Sequence, residues 1–535
     1  MSRGLSSTLK TELAKSNFAW ALLAKLEFNS TYYFTTAQHD LTSGGNTYLS
    51  SGMLLDLSEI SEDSGISTGG ISVTLSAAAT GLMTDLLANG HLHRQVTVSL
   101  ALLDSANAII DSPAEIYRGR VESMSIKDSA KSSILEIGVA NHWADFDRSN
   151  GRSYTDNAQQ QRYAGDKGFE FAAQAGNDVT WGMFYSYEVD VLLAVHPKWK
   201  TNWFGVKEFV GFEYTWGTET KSRFSSLESV ASTVSVNKLP VCYGSHKVPG
   251  FMVFQEVSTD HKYLYQCYVV SEGQVATLTA VFDPPLTVAQ TAKTSSFVST
   301  GPTTVQTFPS WMTDSSWTTA HQLKGIAFVF FRFEYEEGTF EKFPSVDYFV
   351  IAGINLTGNN TNPANILKHF LTNSDFGVGI DSGDIDSSSF TTAEGICDQL
   401  NSGVKRHECH LRLETALPFI TNLKSILQTC NGQLHWLDGK YQMHINDTAG
   451  ASVLLLDDSK IVSNIEIQGE SKIDRATQVV AKWENAGAGD EVAWPDSVNE
   501  SSIYAAHLAA DNAVSLKKDI NLRGVTNWHQ ARYLA

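Results

Sequence analysis

Ile71-Ser72-Val73-Thr74-Leu75 alternates branched apolar with small polar side chains. Successive side chains of a strand point to opposite faces, so the three aliphatic residues share one face, and the run predicts a strand with one side in a core. Val96, Val98 and Leu100 repeat the pattern, and two more strands are expected at 121–126 and 134–139 around the polar turn 127–131. Between the first two, residues 81–87 read as a short helix ended by Asn89 and Gly90. Several short strands and one helix predict a β-barrel-like domain over residues 1–150.

Working outward, residues 141–175 are polar and rich in Gly, Asp and Gln, from Asp145, Asp147, Arg148 and Arg152 to Gly165, Asp166, Lys167 and Gly168. They read as an ordered arm without regular structure, and the aromatic stretch 176–235 resists assignment, so 151–235 is expected to be an extension. A second β-rich domain is expected over 236–357. It holds the apolar run 263–270 closed by Glu272 and Gly273, a Ser/Thr/Pro-rich surface loop over 294–319, and a strand at 326–335. That strand turns near Glu337 and Gly338 and returns through 348–351. Asn362 then caps a helix with Pro363 in its first turn and an apolar stripe of Ile366, Leu367, Phe370 and Leu371. A second helix, carrying Leu423, Ile426, Leu427 and Cys430, ends at Asn431 and Gly432. It feeds a hairpin through Asp438 and Gly439, making 358–450 an α/β domain. From Ile461 the chain returns to strands, with Ile465, Ile467 and 477–483. Residues 451–535 are expected to form a second β-barrel-like domain, incomplete at the helix beginning at Trp528. The fold class is therefore mainly β with an α+β part, multidomain, as a length of 535 residues at roughly 100–200 residues per domain requires.

Composition narrows the function. Thirty-nine Lys and Arg against 58 Asp and Glu leave a net charge of −19, which repels phosphate backbones and excludes sequence-specific nucleic-acid binding as the expected role. The five cysteines (Cys242, Cys267, Cys397, Cys409, Cys430) are odd in number and contain no Cys-x-x-Cys pair, so they read as reduced buried thiols. The apolar stretch 18–24 is too short for a signal peptide, and no stretch approaches the roughly 20 apolar residues of a membrane helix. A soluble protein without a membrane-spanning segment is expected.

Chemical motifs are sparse. His91 and His93 share one side of a would-be strand but lack a third ligand nearby, so a solvated strand edge competes with a metal site. His407, Glu408, Cys409 and His410 offer richer ligands, yet they lead into Leu411-Arg412-Leu413, whose alternation makes them a strand entry with Cys409 buried. Asp145 and Asp147 could pair as acid and base, but Arg148, Arg152 and Lys167 nearby favour a structural ion-pair network. There is no Gly-x-Ser-x-Gly elbow and no His-Glu-x-x-His, and Gly377-Val378-Gly379 follows a helix where a phosphate loop needs a strand. No catalytic, cofactor-binding or metal residue is assigned, and no enzyme activity or cofactor is expected.

Several blocks in one order carry a resemblance. They are Leu239-Pro240-Val241-Cys242-Tyr243-Gly244 with Val248 and Gly250; the 263–273 strand and turn; 326–336 with Phe340 and Pro344; Asn362-Pro363-Ala364, Phe376-Gly377-Val378-Gly379 and Cys397-Asp398; and Gly524-Val525-Thr526 with Gln530-Ala531. Together they resemble siphophage tail-tip hub proteins, the lambda tip attachment protein J family. The first 175 residues resemble the barrel and loop of related phage tail proteins. The resemblance implies a homotrimer whose two barrel-like domains per chain form a ring of six, adapting a hexameric tail tube to a three-fold tip. It implies as partners the distal tail and tail-tube proteins, the tape measure protein, and a central tail fibre or other tip proteins. DNA would pass through the channel without specific binding. Assembly in the host cytoplasm and a place at the virion tail tip follow. Members of that family continue into fibronectin-like or receptor-binding domains that this sequence lacks. Two rivals remain: a tail-associated hydrolase of envelope polysaccharide or peptidoglycan, which would need convergent carboxylates in a cleft, and a receptor-binding tail protein.

Overall fold

A computed structural model of the chain describes residues 5–50, 54–60, 69–76, 92, 94–128, 133–201, 204–228, 238–401, 403–437, 439–446, 475–485 and 488–535. It is mainly β and divides into two compact units, Met1–Gly151 with Leu356–Ala535, and Arg152–Asn355.

The first unit opens with helix α1 (Ser7–Leu13), whose first turn is capped by the Ser6 hydroxyl accepting from the Leu9 N–H. Then come β1 (Ala19–Glu27), β2 (Thr31–Thr35), the small hairpin β3 (Leu41–Ser43) and β4 (Asn46–Tyr48), and β5 (Leu54–Leu57). They are followed by β6 (Gly70–Ser76), β7 (Gln95–Leu103), β8 (Ala114–Asp128) and β9 (Ser133–Asn141). Seven of these strands form one antiparallel sheet in the order β2-β1-β7-β8-β9-β6-β5, curled into a half-barrel. The alternation at 71–75 behaves as expected: Ile71, Val73 and Leu75 are buried among Leu26, Val96, Val98, Leu135 and Ile137, while Ser72 and Thr74 point away. The expected helix at 81–87, most of the turn at 127–131, and both His91 and His93 lie outside the described residues.

The second unit corrects the expected arm. Residues 156–162 are a helix, α2 (Asp156–Arg162), capped by Thr155, and Tyr154, Phe169 and Ala172 are core residues. The unassigned aromatic stretch is a hairpin of two 22-residue strands, β10 (Thr180–Thr201) and β11 (Lys207–Glu228). After it come β12 (Val241–Tyr243), β13 (Ser245–Val248), β14 (Phe251–Val257), β15 (Tyr263–Glu272) and β16 (Val275–Phe282). The unit ends with α3 (Val288–Ala292), β17 (Thr294–Ser299), β18 (Ile326–Glu334) and β19 (Val346–Ile354). Two sheets, β14-β15-β18-β17 and β13-β19-β16, enclose one core: Val329, Phe331 and Phe333 of the first meet Phe349, Ile351 and Leu278 of the second. On the other side of β18, Phe328 and Phe330 pack with Phe254, Trp317 and Phe169. Both faces of β18 are covered, which is why its sequence is a continuous apolar run and not an alternation.

Two local expectations fail here for the same reason. The strand after Gly338 does not return along β18, because β18 already has β15 on one edge and β17 on the other; β19 crosses instead to lie between β13 and β16. The Ser/Thr-rich stretch 294–319 is not a surface loop throughout. It begins as edge strand β17 and later buries Met312 and Trp317.

The first unit resumes with α4 (Pro363–Thr372), capped by Asn362 as predicted, and with its expected apolar stripe buried. Next come α5 (Ser387–Cys397), the short β20 (Leu400–Asn401) and β21 (Val404–Lys405), β22 (Leu411–Leu413) and α6 (Phe419–Gln428). The predicted hairpin follows as β23 (Gly432–Leu437) and β24 (Lys440–Ile445). Beyond residue 474, β25 (Gln478–Asn485) pairs antiparallel with β26 (Ala488–Trp494) and, after α7 (Ser501–Ala510), parallel with β27 (Lys517–Asn521). Helix α8 (Trp528–Leu534) closes the described chain, with Ala531 in a small core beside Trp483 and Val525. The strand residues expected at Ile461, Ile465 and Ile467 lie outside the described residues.

Candidate assembly surfaces

The ligand-rich segment 407–410 is a knot of backbone bonds. The Cys409 N–H donates to Thr361 O at 2.8 Å and the His410 N–H to Gly524 O at 2.9 Å, while Gln530 donates to Glu408 O at 2.8 Å and accepts from the Glu408 N–H at 3.2 Å. Glu408 also accepts from Thr361 Oγ1, and the His407 ring stands edge-on to Tyr533. At Gly524 a Cβ would fall 2.5 Å from the Leu411 side chain and 2.9 Å from His410 O, at a positive φ besides, so only glycine lets this segment approach. Asn362 reaches across to Glu394 O of α5 at 3.0 Å. The blocks at 362–364, 397–398 and 524–531 thus meet around this segment in the first unit, held largely by backbone hydrogen bonds.

All five cysteines are free and buried. Cys430 hydrogen-bonds Cys397; that contact and burial raise the Cys430 thiol, and burial pushes Cys409 up to about 12, so these two are held protonated and unreactive at neutral pH. Among the described residues no group of three His, Cys, Asp or Glu side chains is placed to hold a metal ion.

Of the two arm carboxylates, Asp145 pairs with Arg120 at 3.2 Å and Arg148 at 3.0 Å, and Asp147 is exposed. Arg152 and Lys167 belong to the other unit, where Arg152 meets Glu272 at 3.3 Å and Lys167 meets Glu170 at 3.3 Å. Sequence reasoning passed over Asp166, although it quoted that residue. Its buried carboxylate accepts the backbone N–H groups of Gly168, Gln322, Leu323 and Lys324 at 2.8–3.1 Å and the Gln159 amide at 2.7 Å. Glu272, equally buried, takes Arg162 at 2.5 Å beside Arg152. These two carboxylates staple the 152–171 segment to the sandwich, and neither faces open space. A small cleft is lined by Leu411, Leu413, Asn422 and Arg523.

The exposed surfaces are more distinctive. In the first unit Phe18, Trp20 and Leu49 are exposed near the β1–β2 end of the half-barrel. In the second unit, β10 and β11 pair only with each other, from Thr180 opposite Glu228 to Thr201 opposite Lys207. At roughly 3.3 Å per residue the ribbon is about 70 Å long. Its base is anchored: Trp181 is fully buried against Tyr335 and Phe340 and donates to Lys262 O at 3.0 Å, and Tyr185 accepts from the Glu337 N–H at 2.9 Å. Further out the register places Leu192 opposite Trp216, Val195 opposite Tyr214, Pro197 opposite Phe212 and Trp199 opposite Phe209. Edge-to-face ring contacts with centroids 5.5 Å (Trp199–Phe209) and 5.1 Å (Phe209–Phe212) apart join them into one exposed stripe.

Residues 6–159 match the family model of the baseplate hub protein N-terminal attachment domain. The matched span runs from α1 through the whole half-barrel into α2. It supports a structural protein of the bacteriophage virion, located in the tail. A solved chain from the virion of a native gene transfer agent particle is similar at 19% identity over 28% of this chain and 50% of that chain, with a TM-score of 0.24. This chain thus spans half the length of that one. No curated protein matches the sequence.

Among the described residues, the half-barrel and the ribbon carry the exposed aromatic surfaces that stand out. The first was legible as alternating strands. The ribbon was not, because its apolar residues change face along its length: Trp181, Met183 and Tyr185 turn toward the sandwich, whereas Trp216, Tyr214 and Phe212 occupy the other side. Among the described residues no helix is long and apolar enough to cross a membrane.

Proposed function

We propose that the chain is a structural hub of a phage tail tip. Three copies form a ring that adapts the hexameric tail tube to a three-fold tip and closes the DNA channel until ejection. The observation that carries this reading is the match of residues 6–159 to a baseplate hub attachment domain, a span that contains the whole seven-stranded half-barrel. The domains at 1–150 and 451–535 supply the two positions per chain that a six-fold neighbour demands, with 236–357 and 358–450 between them. Contacts of this kind rest on large buried area and strand edges, and a heterologous contact repeated around a closed ring suits them. The ordered blocks from Leu239 to Ala531 support kinship with the lambda tip attachment protein J family. The net charge of −19 supports a lumen that repels DNA, so that DNA passes without binding.

Image averaging of purified tails carrying a tagged copy of the chain tests the reading. A three-fold ring at the distal end of the tube, between the tail-tube and tape measure proteins and any central fibre, is expected. Tails that lack the chain, or carry it as a single copy, sink the proposal, and a strongly basic lumen sinks its electrostatic part.

A further inference from the structure

We infer that the outer half of the β10–β11 ribbon is a self-association face, on which Trp199, Phe209, Phe212, Tyr214 and Trp216 of one copy pack against the same stripe of another. That a second copy is the occupant follows from area, charge and hydrogen bonding.

Fully exposed aromatic side chains offer roughly 150–250 Å² each, so these five, about half exposed, with their aliphatic partners present on the order of 700 Å². A typical monomer's largest apolar patch is roughly 300–600 Å², and a stable complex buries about 800 Å² per partner. The stripe is thus too large for an ordinary free surface and of the size an interface needs.

From Leu192–Trp216 to Trp199–Phe209 the stripe is apolar and aromatic, with Asp190 and Lys207 on the same face at its two ends, whereas the opposite face of the segment holds His196, Lys198, Lys200, Glu208 and Glu213. Two copies of a chain with a net charge of −19 repel one another over most of their surface, and an aromatic face without charges along its length is where they can meet without pairing like charges. A strongly acidic or basic partner would call for charge of one sign along the stripe, and its ends carry one acidic and one basic residue.

The backbone decides against lipid. Among the described residues neither outer edge of the ribbon has a neighbouring strand, and a bilayer core cannot satisfy the backbone groups of an open sheet edge. Neighbouring ribbons can bury the aromatic face and pair or shield those edges. A lone two-stranded ribbon is marginal in water, so association also stabilises its outer half. The number of copies rests on the trimeric hub reading; the choice of face does not.

The test uses the full chain. Sedimentation should show an oligomer for the natural sequence and the mass of one chain for the double variant Phe212→Ser/Trp216→Ser, with self-association at least about 100-fold weaker, as loss of two aromatic anchors predicts. Thermal unfolding of the sandwich should be unchanged, since the stripe lies beyond its core. As a second measurement, Val195→Cys, whose thiol would sit in the stripe, should form an inter-chain disulfide under mild oxidation, whereas the five native cysteines are buried. A double variant that keeps the natural mass overturns the inference while leaving the hub reading intact. A natural chain that is monomeric overturns it too, and binding to phosphatidylglycerol vesicles through the ribbon would name the membrane as the occupant instead. Absence of the chain from purified tails would defeat the hub reading whatever the mass in solution.

Discussion

In the second unit β18 pairs with β15 and carries Phe328, Phe330, Phe331 and Phe333 in full burial, whereas β11 pairs with β10 and leaves Phe209, Phe212 and Trp216 about half exposed. Both pairs are antiparallel, long and aromatic. What separates them is a second layer: β18 has β17 on its free edge and packed side chains on both faces, and the outer ribbon has neither. Strand propensity and aromatic content are satisfied by either setting, since they describe a fit to a pleated surface and not its burial. The contrast teaches that an aromatic strand becomes core when another layer arrives and stays exposed when none does.

The sharpest way to break this comparison is truncation on each side of it. Phe330→Ala should cost about 3–5 kcal/mol, because the ring fills a space between Phe254, Tyr265 and Trp317 that cannot collapse. Urea unfolding followed by tryptophan fluorescence reads this directly, and a loss below about 1 kcal/mol would mean that β18 is not the centre of the sandwich. Asp166→Ala should cost somewhat less, about 2–4 kcal/mol, since it strands several buried backbone donors at once. Proteolysis should then cut first within 152–171; cutting elsewhere would show that the staple is unimportant.

Acid sharpens the comparison by acting on the first unit. His142 lies against Trp436 at 4.3 Å and near Tyr441 at 5.6 Å, and burial, aided by the Arg118 charge, pushes it down to about 3. The folded ring stays neutral while the unfolded ring takes up a proton below about 6.5, so its contribution is complete above that pH and falls as the pH drops toward 3. The slope is about 1.4 kcal/mol per pH unit. Stability against pH for His142→Phe should lose that slope; an unaltered curve would assign acid sensitivity to other groups. The smallest effect belongs to the ribbon. Trp216→Ala should leave the unfolding of the dilute single chain within about 0.5 kcal/mol of the natural value. A loss as large as that of Phe330→Ala would show that the stripe packs within its own chain.

The half-barrel was readable because one of its faces is wet, so burial writes itself as a period of two at 71–75 and 134–139. The helix at Asn362-Pro363 was readable because capping is a contact between near neighbours. Less was visible where the partner lies far along the chain. Nothing local to Asp166 shows that the backbone amides donating to its carboxylate come from 322–324, more than 150 residues away. Nothing local to 294–299 shows that β18 has an edge waiting for it. The 407–410 segment read correctly as a strand entry with a buried thiol. Its ties to Thr361, Gly524 and Gln530 required the fold, since each glycine or amide there answers to a distant backbone.

By itself, then, the sequence determined the mainly β character, the strands with one wet face, the helix caps and the acidic surface, because alternation, capping and net charge are properties of neighbouring residues or of sums. Tertiary structure alone decided which aromatic strand is core and which is exposed, which edge β17 fills and where β19 crosses. Those outcomes depend on the order in which strands occupy the edges and faces of a sheet, and a linear sequence does not display its vacancies.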